Sequence, residues 1–291
     1  MKNNILDLIG NTPMIRIDGF ENTNKLKARL FAKLEYFNPF GSIKDRAAFQ
    51  IIKDAEEKEE IKQGFTVIEA TSGNMGVALT AISSLKGYKS LMVMPDNTSK
   101  SKKELMKKYG AKIILTSATD GMRGSLERVK EIINCNEKMF YVNQFENASS
   151  VTAHKNTTAP EIYSQMNGRI DAVIAGIGSG GTITGIAEYL KSVNRSIEII
   201  GVLPKSLPNN IQGIGSGFIP NILNMDLLNS ILYVTDEEAE KSREILSKTD
   251  SVFIGPSSGA VISAGKKLGS LDEYQDKNIV MIFADSGERY I

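Results

Sequence analysis

DAVIAGIGSGGTITGIAEYLK, residues 171–191, sets the architecture of this chain. A continuous apolar run, DAVIAG, reads as a buried strand, and GIAEYLK reads as a helix. The glycine-rich turn GSGGT (Gly178 to Thr182) joins them. The same grammar recurs along the chain. LFAKLEYF (30–37), FTVIEA (65–70), SLMVMP (90–95), KIILT (112–116), IEIIGVLP (197–204) and NIVMIFA (278–284) read as further buried strands. Amphipathic stretches lie between them. Ala48, Ile51, Ile52 and Ala55 share one helical face, as do Leu126, Val129, Ile132 and Ile133. Thr235 with Glu238 has the spacing of a capping box opening a helix to about Ser247. Such alternation predicts an α/β fold with mainly parallel sheets covered by helices.

Composition narrows the function classes. The 291 residues hold 35 Lys plus Arg against 34 Asp plus Glu, a formal net charge of +1. That balance gives no electrostatic case for nucleic acid or for an acidic membrane surface. No apolar run has the length of a membrane span, and Gly10 and Pro13 interrupt the first segment, so no signal-peptide core is expected. One cysteine (Cys135) and one histidine (His154) exclude an intramolecular disulfide and an ordinary Cys/His zinc site. A cytoplasmic, metal-free protein is expected.

In parallel sheets, ligands gather where loops leave the carboxyl ends of strands and meet helix N-termini. Three junctions here are rich in Gly, Ser and Thr: TSGNMG (71–76), GSGGT (178–182) and GPSSG (255–259), the last preceded by SVFI. In GSGGT, Gly178, Gly180 and Gly181 let the backbone approach a ligand. Ser179 and Thr182 add hydroxyls, and the helix start adds a favourable dipole, a set suited to phosphate. Taken alone, the loop reads equally well as a tight packing turn. Gly176, Gly178 and Gly181 also match G-x-G-x-x-G, but the next strand ends in Val202, Leu203 and Pro204, without the acid that would hold a dinucleotide ribose. GPSSG matches G-x-S-x-G, but a hydrolase of that kind needs its histidine after the serine, and His154 precedes Ser257. His154 therefore reads as a structural or surface residue. In TSGNMG, the Thr71 and Ser72 hydroxyls and the Asn74 amide offer a cluster of donors for a small carboxylate; an ordinary capped helix start is the alternative.

Lys44, in NPFGSIKDRAA (38–48), gives these loops a common purpose. An amine combined with a phosphate-binding loop is what pyridoxal 5'-phosphate requires. With IGNTPMIRI (9–17), YVNQFEN (141–147), GIGSGGTITG (176–185), IQGIGSGFIP (211–220), GPSSGA and DSGERY (285–290), the chain resembles the cysteine synthase (O-acetylserine sulfhydrylase) and cystathionine β-synthase family of fold-type II pyridoxal phosphate enzymes nearly end to end.

The resemblance implies a two-domain, tryptophan synthase β-like architecture. Residues 1–40 plus 142–291 would form the larger, cofactor-phosphate-binding domain. Residues 41–141 would form a smaller mobile domain that carries TSGNMG and closes over substrate. Lys44 would form the internal aldimine and act as base. Asn74 would bond the cofactor's phenolic oxygen. Gly178, Ser179, Gly180, Gly181 and Thr182 would cradle its phosphate, and Ser286 would face the pyridine nitrogen. Thr71, Ser72, Asn74, Met75 and Gln144 would surround the substrate α-carboxylate, with Gly213 on the amino-acid side. The implied reaction is β-replacement: an O-activated serine, O-acetylserine foremost, loses its leaving group to give aminoacrylate, and sulfide adds to give L-cysteine. The alternative is a hydrogen-sulfide-producing lyase or replacement acting on cysteine, giving serine or lanthionine. A catalytically silent regulatory member is the remaining reading. A homodimer is implied.

Four departures bear on this. Met75 stands where the family has threonine in TSGNTG. Only KSLPNN (205–210) separates GVLP from IQGIG, and Leu203 stands where relatives commonly have glutamate; the short loop speaks against receiving the tail of serine acetyltransferase. Ser216-Gly217 resembles the sulfhydrylase GIGAGF and lacks the carboxylate of the serine-using branch. The sequence reaches Ile291 directly after SGERY, where relatives usually continue, and a difference in dimer contacts or site closure is expected from it.

Overall fold

The computed structural model describes residues 4–291; residues 1–3, at the head of the expected larger domain, lie outside the described residues. Ten strands lie among the described residues, in chain order β1 (Met14–Arg16), β2 (Arg29–Leu34), β3 (Thr66–Ala70), β4 (Lys89–Pro95), β5 (Lys112–Thr116), β6 (Met139–Tyr141), β7 (Ala172–Gly176), β8 (Glu198–Pro204), β9 (Ser230–Val234) and β10 (Asn278–Phe283). They form two sheets, and the chain divides into two compact units. One unit is Lys44–Ser150 with the N-terminal stretch ending at Ile9; the other is Gly10–Ile43 with Val151–Ile291. The cuts thus fall after residues 43 and 150, rather than at the expected 40 and 141, and the described residues 4–9 go with the smaller unit.

The smaller unit holds a four-stranded sheet in the order β5–β4–β3–β6, all parallel. Each crossover is helical: Asn74–Leu85 follows β3, Lys100–Lys108 follows β4, and Gly121–Asn134 follows β5. Ile68, Ala70, Leu91, Val93 and Val129 form one core cluster, with Leu126, Ile132 and Ile133 packed against it. Ala48, Ile51, Ile52 and Ala55 of the helix Lys44–Glu57 are all buried, as their spacing predicts.

The larger unit holds a six-stranded sheet in the order β1–β2–β10–β7–β8–β9, parallel except for the edge pair β1–β2. Its central strands alternate between two cores. On β7, Ala172 and Ile174 join one cluster and Val173 and Ala175 the other; on β10, Ile279, Met281 and Phe283 oppose Val280 and Ile282. A strand's period of two therefore feeds both faces, which is why these strands read as unbroken apolar runs. Pro256–Gly269 is a largely buried helix. Asp236–Thr249 opens on Thr235, whose side chain accepts the Glu238 N–H while Glu238 returns a bond to the Thr235 N–H, the expected capping box. SVFI is not a strand: Ile254 makes only an isolated bridge to Ser286.

Candidate active site

Both sheets deliver their chemistry at the carboxyl ends of neighbouring strands. In the smaller unit, β3 ends at Ala70, and Thr71 continues directly from it with its N–H bonded to Val93 O at 2.9 Å. The chain then turns: the Gly73 N–H donates to Thr71 Oγ1 at 3.3 Å, and Asn74 opens the helix Asn74–Leu85. Thr71 and Met75 are buried, whereas Ser72 and Asn74 keep partial exposure. The methionine in place of threonine therefore packs into the unit's interior. Strand β6 pairs with β3 and ends at Tyr141, so Gln144, three residues on, emerges at the same sheet edge as Thr71–Asn74.

Lys44 is the first residue of the helix Lys44–Glu57 and keeps part of its surface exposed. Desolvation pulls its ammonium down from the ordinary lysine value to about 8, with the nearby Glu69 carboxylate opposing the shift. A lysine so placed is a competent amine nucleophile near neutral pH, which an exposed lysine is not.

In the larger unit, β7 and β10 are neighbours, so the loop at Gly178–Thr182 and the segment at Ser286 also leave one sheet edge together. Gly180 holds a left-handed conformation (φ 88°) as the N-cap of the helix Gly181–Val193. A Cβ on Gly178 would lie 2.4 Å from the carbonyl oxygen of Gly213. The glycines are thus required by the backbone itself: one by its dihedral, the other by a second turn pressed against it. Ser216 Oγ donates to Gly178 O at 3.1 Å and Gly215 N–H donates to Ile177 O at 2.9 Å, which ties the Gly213 turn to the glycine loop. Gly213 itself is exposed.

Ser286 is half-buried, and its hydroxyl accepts the Glu288 N–H at 3.2 Å, capping the short turn Gly287–Tyr290. Ser258 Oγ accepts the Ala284 N–H at 2.9 Å and fixes the approach to it.

Two further residues belong with these clusters. His154 is buried, not on the surface. Its ring nitrogens lie 3.2 Å from Thr182 Oγ1 and 2.8 Å from Thr158 Oγ1, so it braces the end of the glycine loop. Only the i, i+4 spacing of His154 and Thr158 signals half of this pairing. Glu69, wholly buried on β3, has no motif to announce it.

Residues 5–285 match the pyridoxal-phosphate dependent enzyme family. The cysteine synthase of Buchnera aphidicola subsp. Schizaphis graminum is 38% identical over 97% of this chain and 92% of its own length. The chain belongs to the cysteine synthase family of pyridoxal-phosphate-dependent enzymes. The solved cysteine synthase of Entamoeba histolytica superposes with a TM-score of 0.96 at 38% identity, covering 100% of this chain and 89% of its own. A hydrogen sulfide-producing enzyme from Fusobacterium nucleatum gives 0.95 at 36% identity and covers 100% of both chains.

The residues present fit the cofactor of a cysteine synthase-family enzyme. Pyridoxal phosphate needs an amine that is not permanently charged, and Lys44 is one. It also needs a phosphate cradle. The backbone of Gly178–Thr182 leads into the N-terminus of a thirteen-residue helix, with the Ser179 and Thr182 hydroxyls beside it. No group of three or more His, Cys, Asp or Glu suited to a metal occurs among the described residues, and no helix there is long and apolar enough to cross a membrane.

Proposed function

We propose that this chain forms L-cysteine by β-replacement on O-acetylserine. The Cβ–O bond to acetate breaks and a Cβ–S bond to sulfide forms. The observation that carries the reading is a partly buried lysine with its amine poised at about pH 8, in a chain of the cysteine synthase family. Bound pyridoxal phosphate supplies the electron sink that makes the substrate Cα–H bond acidic.

The chain's own residues do the rest. Gly178, Ser179, Gly180, Gly181 and Thr182 hold the cofactor phosphate by backbone N–H groups and hydroxyls. Asn74 holds its phenolic oxygen. Thr71, Ser72, Asn74, the Met75 backbone and Gln144 hold the substrate carboxylate, with Gly213 on the amino-acid side. The Lys44 amine, anchoring the cofactor at rest, takes the Cα proton and later returns it, a role that a pKa near the working pH favours. Ser286 presents a neutral hydroxyl to the ring nitrogen. Lacking a carboxylate there, the site does not enforce a permanently protonated ring, which suits elimination with a good leaving group better than transamination. The enzyme is proposed to work as a cytoplasmic homodimer. The shortness of the six-residue loop 205–210 supports action without a docked serine acetyltransferase.

The test is direct. Purified protein loaded with pyridoxal phosphate is mixed with O-acetyl-L-serine and sulfide, and cysteine is quantified. Sustained cysteine formation is expected; none would sink the reading. A second reading, sulfide release from cysteine, is supported by the Fusobacterium nucleatum neighbour, whose chain matches this one over the full length of both.

A further inference from the structure

The proposed reaction leaves one buried carboxyl group unused. Glu69 lies on β3, two residues before Thr71, with 0% of its surface exposed. A carboxylate in that position is costly unless donors surround it. Its Oε1 accepts the Ala70 N–H at 3.0 Å and its Oε2 the Gln144 N–H at 3.3 Å. The Asn143 N–H and the Gln144 side-chain amide also favour its ionised form.

These bonds begin where the sheet stops. The β3–β6 pairing ends with Ile68 opposite Tyr141, and Val142 N–H to Ile68 O, 3.1 Å, is the continuation of that ladder. Beyond it Asn143 turns into a left-handed conformation (φ 50°). The Gln144 N–H then meets the same carboxyl group that takes the Ala70 N–H, so one side chain ties the end of β3 to the turn after β6.

We infer that Glu69 is a positioning residue that fixes the Asn143–Gln144 turn and so presents Gln144 to the substrate carboxylate. The inference rests on the proposed role of Gln144. Burial pushes the Glu69 carboxyl up to about 8 against those donors, so near neutral pH it holds the turn chiefly as a neutral hydrogen-bond acceptor. Lys44 and Tyr141 are the titratable groups whose charge couples to it.

The experiment compares the cofactor-loaded full chain with Glu69→Ala and Glu69→Gln. Amide hydrogen exchange is followed at Asn143 and Gln144, and KM and kcat are measured with O-acetylserine. Glu69→Ala is expected to quicken exchange at both amides and to raise KM, each about tenfold, with kcat changed by less than about threefold. Glu69→Gln keeps an acceptor oxygen at the same reach but brings an NH2 against one donor, so a rise of about threefold in exchange is expected. This variant carries the test if Glu69→Ala does not fold. Unchanged exchange at both amides, or a fall in kcat with KM intact, overturns the inference. If the wild type makes no cysteine, the reaction falls separately, and the exchange measurement still decides the role of Glu69 in the turn.

Discussion

At Lys44 two effects oppose each other: burial pulls the ammonium down, the Glu69 charge holds it up, and burial wins to leave it at about 8. An amine attacks a carbonyl only when deprotonated. Below about pH 8 the reactive fraction therefore falls about tenfold per unit, and above it the fraction levels off. The rate at which apoprotein captures pyridoxal phosphate, followed by the cofactor's visible absorbance, should rise to a plateau near pH 8 to 9. A lysine with its ordinary pKa would keep the rate climbing past pH 10, and that outcome would refute the assignment. Lys44→Ala should lose the covalent cofactor signal and cut cysteine formation by about a thousandfold, as removal of a general base does. The lysine was legible in the sequence because NPFGSIKDRAA surrounds it. Its depressed pKa was not, since the desolvation comes from residues brought near it by the fold.

Among the elements, the glycine loop shows how local sequence and tertiary contact combine. Gly180 was readable as a helix-opening glycine. The need for glycine at 178 comes from the Gly213 carbonyl, thirty-five residues away in sequence, which a Cβ would approach to 2.4 Å. Gly178→Ala must displace one turn or the other, so pyridoxal phosphate affinity, measured by equilibrium titration, should drop by at least about tenfold, and the melting temperature should fall as well. The capping box at Thr235 is purely local and was legible for that reason; Thr235→Ala should cost about 1 kcal/mol of stability in denaturant unfolding, without altering KM. The elements that escaped the sequence are short or peripheral. Strands β1 and β6 have three residues each, too few for a period to show, and β9 is an edge strand with an exposed serine at its start. Glu35–Phe37, read as the end of a strand, closes instead into a 3-10 turn whose last N–H-bonded residue, Asn38, reaches back to Glu35.

At the level of the whole molecule, the recurring grammar of strand, loop and helix was readable because parallel strands buried on both faces leave long apolar runs, and the motifs sit in the loops between. Which reaction direction the enzyme favours was not. Whole-chain similarity does not decide it either: the neighbours named for cysteine synthase and for hydrogen sulfide production superpose with TM-scores of 0.96 and 0.95. The leaving group gives a sharper criterion. Acetate departs as a weak base and needs no proton, whereas hydrosulfide is a stronger base and gains from a donor. The turn that distinguishes the family's branches offers none: Gly217 has no side chain, and the Ser216 hydroxyl is already donated to Gly178 O at 3.1 Å. Sulfide release from cysteine alone should therefore proceed with a kcat/KM at least about tenfold below that of cysteine formation from O-acetylserine and sulfide, a transition-state difference of about 1.4 kcal/mol. Sulfide electrode traces and cysteine quantification on one enzyme preparation measure both. The reverse order would make this chain a sulfide producer and place the proton donor elsewhere than the 216–217 turn.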